Sequence, residues 1–183
     1  IQEKGYKNIA ILYKNDDWGQ DLGKLVKTDV ETLGINVKAY VAINDGQASY
    51  RAEVVEALKT KPDAVYVALY PKEGTTAIRE WISLGGTQNL VLANALKYED
   101  FRDGVGIKYL ANAIGHDSTA PRTESAASFN ALYIEKFKKE PAGPGLPNSF
   151  DAVMISLLAM EASGELSGDA IAKAIPRVTD PNG

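Results

Sequence analysis

A chain of 183 residues with 45% apolar content can bury roughly two-thirds of the surface its unfolded form exposes, enough for one sizeable core. A net charge of −4, 24% charged residues and no Lys/Arg-rich stretch argue against nucleic-acid partners, and no apolar run approaches the ~18 residues of a membrane span. The absence of cysteine excludes disulfides, thiol catalysis and thiolate metal sites.

The chain starts at Ile1 with no basic-then-apolar leader and closes on the turn signal "TDPNG" (179–183). Both ends read as cut ends, so the expectation is a piece of a longer protein. The first apolar run, "NIAILY" (8–13), is followed by "KNDDWG" and a helix pattern with Leu22, Leu25, Val26, Val30 and Leu33 on one face, ending near Gly34. The second run, "NVKAYVAI" (36–43), precedes a helix with Val54, Val55 and Leu58 on one face. Ser49 is expected to cap it, with Ala52 where a capping box would place Glu. The third run, "AVYVALY" (64–70), leads to a helix carrying Ile78, Trp81 and Ile82 and ending near Gly85; "NLVLANAL" (89–96) and "YLANAIGH" (109–116) follow.

The first four runs begin at residues 8, 36, 64 and 89, one strand–helix unit apart. Near-continuous apolar strands alternating with helices predict a doubly wound, three-layer α/β/α parallel sheet with right-handed crossovers. From about Ser118 the pattern is helical only. A helix is predicted from Pro121 to about Glu140, with Phe129, Leu132, Tyr133 and Phe137 on one face. "PAGPGLPN" (141–148) reads as a loop, "SFDAVMISLLAMEASG" (149–164) as a helix apolar nearly all round, and 167–178 as a weaker helix. The expected division is a sheet-bearing ligand-binding lobe at 1–117, then a helical segment at 118–183 belonging to a second lobe whose strands lie elsewhere. Incompletely covered faces on 149–164 predict self-association, as a homodimer, of the piece alone.

In an open parallel sheet of the usual 2-1-3-4-5 order, ligands bind beyond the carboxyl ends of the strands, where strands one and three flank the crevice. That edge holds Asn15–Trp18, Ala42–Gly46, Leu69–Lys72 and Asn94–Lys97, and Trp18 is expected to face the Leu69–Tyr70 tip. A phospho-acceptor site would need a carboxylate where Tyr70 stands. A dinucleotide site would need glycines where "KNDDWGQDLG" is bulky. Asp16 and Asp17 lack a third carboxylate or histidine at metal-ligand spacing, and helix capping accounts for at least one of them. The lone His116 has no partners for nucleophilic catalysis and reads as a hydrogen-bonded structural residue. The expectation is therefore no enzyme, no cofactor and no metal. Trp18 reads either as a packing anchor at the helix start or as the wall of a ligand cleft. Asn94 either stabilises its own turn or offers its amide to a ligand.

"GYKNIAILYKNDDWGQDLGKLVKTDVETLGINV" and its continuation carry Asp17-Trp18-Gly19, Gly46-Gln47-Ala48-Ser49-Tyr50 and Pro62-Asp63-Ala64-Val65 in order. With the "SFDAVMISLLAMEASG" helix, these segments resemble the type I periplasmic solute-binding proteins, in particular the branched-chain amino-acid-binding group of ABC importers. The resemblance implies two hinged lobes closing on a small organic solute, a membrane permease as partner, and a periplasmic or extracytoplasmic location without membrane insertion. A ligand-sensing domain of a regulator with the same fold is the alternative. It also implies an aromatic at Trp18 packing on the solute, an aromatic at the third strand tip, and a carboxylate after the fourth strand. Here the third-strand position reads Leu69, with Tyr70 beside it, and the carboxylate position reads Asn94. A neutral amide forgoes a charge-assisted bond to an ammonium, a difference of about 1–2 kcal/mol. An amide, a carboxylic acid or an aromatic solute thus fits at least as well as an α-amino acid. The candidate ligand-binding residues are Trp18, Leu69, Tyr70, Asn94, Asn15 and Asp17.

Overall fold

In the computed structural model, which describes residues 1–118 and 123–181, strands β1 (Asn8–Lys14), β2 (Asn36–Ile43), β3 (Ala64–Ala68), β4 (Leu90–Leu92) and β5 (Ile114–Gly115) form one sheet. Every neighbouring pair is parallel, and the order is β2-β1-β3-β4-β5. Helices α1 (Asp17–Thr32), α2 (Arg51–Leu58) and α3 (Pro71–Ser83) make the first crossovers, and α4 (Glu99–Val105) lies between β4 and β5. This is the doubly wound α/β fold predicted from the strand–helix alternation.

Side-chain alternation assigns the two faces. Ala10 and Leu12 of β1 join Val65, Val67 and Leu90 in a core covered by Val54, Ala57, Ala77, Ile78, Trp81 and Phe101. Ile9 and Ile11 join Ala64, Tyr66 and Ala68 on the opposite face, under Val30 of α1 with Leu22 and Val26 packed against it. The Trp81 indole N–H, deep in the first core, donates to the Thr87 carbonyl at 2.8 Å. At the opposite end from the crevice, one Asp63 carboxylate oxygen accepts the backbone N–H groups of Lys7 and Asn8 at 2.9 and 2.8 Å. The Pro62-Asp63 entry thereby ties the start of β3 to the start of β1.

Local chemistry sets the boundaries. Asp16 caps α1, its carboxylate accepting the Gly19 N–H at 2.8 Å. Gly34 and Gly85 follow α1 and α3 with φ of 76° and 81°, left-handed values that suit glycine. Several expectations need correction. Leu22, Val26 and Val30 follow one helical row onto the sheet, whereas Leu25 lies off its flank and Leu33 is the C-cap residue beyond the helix; both are more than half exposed. The β4 strand stops at Leu92 because a 3₁₀ turn forms at Asn94–Leu96, and β5 keeps only two residues. Tyr50, not Ser49, holds the cap position of α2 and makes no side-chain bond there, but the Ser49 hydroxyl, one residue earlier, accepts the N–H of Arg51, the first helical residue, at 3.2 Å. The same hydroxyl donates to Glu80 at 2.6 Å, and the Tyr50 N–H donates to that carboxylate at 2.8 Å.

The chain divides into two units, Ile1–Asp117 and Ser118–Gly183. The second contains α5 (Glu124–Phe137), α6 (Leu146–Ser163) and α7 (Gly168–Thr179). The predicted start at Pro121 lies outside the described residues, and the helix ends before Glu140 because Lys138 turns left-handed, φ 56°. The 141–148 loop is shorter than predicted, because Pro147 fits the first turn of α6, where its fixed φ is tolerated. Phe129 packs against Tyr133 and Phe150 in tilted arrangements, with ring centroids 5.8 and 5.2 Å apart. Leu132 and Phe137 of α5 and Phe150, Val153, Leu157 and Leu158 of α6 remain exposed.

Candidate functional site

The carboxyl edge of the sheet collects the turns after β1, β2, β3 and β4. After β1 the chain enters α1 at once, so Trp18 stands in the first helical turn. After β3, Leu69 is fully buried in the core against α3 and does not reach the edge, so Tyr70 is the side chain presented there. Tyr70 is the residue before α3, 39% exposed, with Pro71 opening the helix. The two aromatic rings stack, centroids 4.9 Å apart and planes 18° from parallel. At that spacing they form one continuous wall with no room for a third ring between them. Burial, and then the neighbouring Asp16 carboxylate, push the Tyr70 hydroxyl above its ordinary value.

The remaining predicted residues are placed as follows. Asn94 opens the 3₁₀ turn beyond β4 and is half-buried; its carbonyl accepts the Lys97 N–H at 3.1 Å, and its side-chain amide makes no hydrogen bond among the described residues. It lies on the same sheet edge as Trp18, with β3 between their strands. The Asn15 amide is committed to its neighbours, donating to Asn44 at 2.7 Å and accepting from Gln20 at 2.8 Å. Asp17 is exposed at the first helical position, where its charge favours the helix dipole. An open groove of about 640 Å³ lies beside the stack, lined by Tyr70, Pro71, Lys72, Glu73, Thr75 and Asp100.

Sequence reasoning missed a charged cluster beneath this edge. Lys14 and Glu73 are each only 6% exposed. The Lys14 ammonium lies 3.4 Å from Glu73 Oε1 and 3.2 Å from Asp45 Oδ1. Burial alone would depress Lys14, but the Asp45 hydrogen bond and the Glu73 charge outweigh it and hold it above its ordinary value. The neighbouring Glu73 carboxyl and then the Lys14 ammonium hold the exposed Asp45 carboxyl below its ordinary value. The available signal was a lysine closing an otherwise apolar strand run, with a glutamate in the first turn after Pro71.

His116 bonds the Tyr66 hydroxyl at 2.8 Å, their rings nearly coplanar in orientation at 2°. Burial pushes the Tyr66 hydroxyl far up, so it stays neutral. Among the described residues no group of three or more His, Cys, Asp or Glu is arranged to hold a metal ion. No helix among them is long and apolar enough to cross a membrane.

A family model described as periplasmic binding protein matches residues 1–182. A leucine-, isoleucine-, valine-, threonine- and alanine-binding protein from Pseudomonas aeruginosa is 24% identical over 177 residues, covering 92% of this chain and 45% of that protein. A leucine-binding protein from Thermotoga maritima superposes with a TM-score of 0.84 at 24% identity, over 100% of this chain and 52% of that one. A branched-chain amino acid transporter substrate-binding protein from Streptococcus pneumoniae, solved with isoleucine, gives 0.74 at 18% identity, over 98% of this chain and 52% of that one. The chain thus spans about half the length of these relatives.

Proposed function

The chain belongs to the periplasmic binding protein family, and on that premise we propose that it is part of the substrate-binding component of an ABC importer. Residues 1–117 form one lobe, and the helices of 118–183 belong to the other lobe, whose sheet lies outside this sequence. A small organic solute enters between the lobes beyond the carboxyl edge of the sheet. Lobe closure encloses it and presents the complex to a membrane permease outside the cytoplasm. The chain makes and breaks no bond; its work is a difference in affinity between open and closed states.

The observation that carries this reading is the Trp18–Tyr70 stack. A half-exposed aromatic pair at the switch point of a parallel sheet gains less from packing than a core pair would, and it offers a flat apolar wall to a solute. The uncommitted Asn94 amide supplies a donor and an acceptor to a polar head. Asn15, engaged on both sides, shapes the turn that carries Trp18. With Asn94 in place of a carboxylate, the favoured solutes are an amide, an aromatic or organic acid, or an amino acid whose ammonium is met elsewhere. Relatives that are named for aliphatic amino acids keep that last class in the set.

A thermal-shift screen of the intact protein against aliphatic and aromatic amino acids, amides and aromatic acids tests the proposal. A solute at one hundred times its Kd stabilises by about 2.7 kcal/mol, so one class is expected to raise the unfolding midpoint by several degrees. A screen in which no member of any class moves the midpoint contradicts solute capture.

A further inference from the structure

The Trp18–Tyr70 stack joins corners from two different strand–helix units, and one buried side chain touches both. Lys14 is the last residue of β1. Its backbone and Cβ form the surface on which the first turn of α1 rests. A Cβ placed on Gly19 would lie 2.2 Å from the Lys14 carbonyl oxygen and 2.7 Å from Lys14 Cβ. The corner carrying Trp18 is therefore seated directly on Lys14. The Lys14 ammonium reaches Glu73 Oε1 at 3.4 Å, and Glu73 lies in the first turn of α3, next to Gly74, whose N–H donates to the Tyr70 carbonyl at 2.8 Å. The second carboxylate, Asp45 at 3.2 Å, belongs to the loop between β2 and α2. The far end of that loop is held by the Glu80 carboxylate of α3 through Ser49 and Tyr50.

We propose that Lys14 is a positioning residue for the solute site: by pairing with Glu73 and Asp45 it holds the β1–α1 corner against the β3–α3 corner and keeps the Trp18 indole stacked on Tyr70. The proposal rests on the reading that the solute lies against that stack. A shorter or apolar side chain at position 14 could fill the space, and replacing a buried ion pair by apolar groups is often neutral for stability. It would leave nothing to fix the distance between the two corners. The pair with Glu73 is enclosed and only weakly screened by salt, whereas Asp45, its side chain 75% exposed, is the weaker tie. The other titratable groups facing the cluster are the Tyr70 hydroxyl with its neighbouring Asp16 carboxylate and the buried Tyr50 hydroxyl, which feels Glu73, Lys14 and Asp45. Holding a binding constellation to within about 0.5 Å requires this kind of support behind the contacting side chains.

The test uses the intact protein, with leucine, phenylalanine, benzamide and benzoate as probes. The near-ultraviolet circular dichroism removed by Tyr70→Leu defines the coupled Trp18–Tyr70 signal. Lys14→Met leaves Glu73 buried without its cation, so a second variant, Lys14→Met with Glu73→Gln, keeps the fold without an orphaned charge. Both are expected to lose the coupled signal and to weaken the best-binding probe about tenfold, with Asp45→Asn showing a smaller loss of each. If the double variant retains signal and affinity while only its unfolding midpoint falls, Lys14 is merely structural and the proposal is overturned. If Trp18→Ala binds the probe as wild type does, or no probe binds, the solute reading fails. The coupled signal then decides alone, supporting positioning if Lys14→Met abolishes it and refuting it if it persists.

Discussion

Asp63 is exposed, yet its carboxylate collects the backbone N–H groups of Lys7 and Asn8, and its own N–H donates to the Asn8 carbonyl at 2.7 Å. Those bonds, Lys7 first and Asn8 second, hold the carboxyl below its ordinary value. A carboxylate whose folded value is depressed contributes stability that is present above the unfolded value, about 3.9, and is lost as pH falls through the folded one. The stability gap between wild type and Asp63→Ala, read from urea midpoints, is expected to stay constant from about pH 7 to pH 5 and to narrow below about pH 4. A gap that is flat down to pH 2 would mean that the ionised carboxylate is not what ties β3 to β1. The Pro62-Asp63 entry was legible in the sequence as a motif, but its role was not, because the partners lie more than fifty residues away. The same limit explains Lys14, Asp45 and Glu73: each looks like a solvated charge until the sheet brings the three together. Trp18 and Tyr70 were legible as a facing pair because strand order alone fixes which tips are neighbours. Leu69 was misplaced by one residue at a strand end, and a one-residue step exchanges core for edge.

Among the elements, β1 and β2 were read closely, since each is a long apolar run bounded by turn residues. The short strands were read too long. "NLVLANAL" and "YLANAIGH" are apolar enough for full strands, but ladder pairing ends where Ala93 donates its N–H to Val67 at 3.0 Å and the chain turns into a 3₁₀ helix. Apolar content marks burial, and Leu96 is buried in that turn rather than in a strand. The α1 row failed at Leu25 and Leu33 for a related reason. Leu25 falls on the outer edge of the apolar arc, and Leu33, in line with the row, sits at the C-cap beyond the last helical residue, so both remain in solvent. At α2, Ser49 accepts the Arg51 N–H as a capping residue's chemistry suggests, from one position outside the cap, and also donates to Glu80 of α3, a tertiary contact that local sequence does not contain.

At the scale of the molecule, the two units differ in how well they bury their apolar residues. The sheet-bearing unit encloses both faces of β1 and β3. The helical unit leaves Phe150, Val153, Leu157 and Leu158 of α6 exposed, with only Ala159 of that helix buried. A run of large apolar side chains on one helix needs a covering surface, which the proposed other lobe supplies in the intact protein. Light scattering on residues 1–183 alone is expected to give a dimer or larger species that dissociates when Leu157 and Leu158 are replaced by Lys; a clean monomer of the unsubstituted chain would contradict an uncovered face.

The account depends most on the solute lying against the Trp18–Tyr70 wall. Isothermal titration calorimetry of the intact protein with the solute found by stabilisation screening, repeated on Trp18→Ala and Tyr70→Ala, measures that dependence directly. Removing a buried aromatic contact from a binding site costs about 2 kcal/mol or more, so each variant is expected to bind at least tenfold more weakly while folding as wild type does. Unchanged affinity in both variants would place the solute elsewhere and contradict the account.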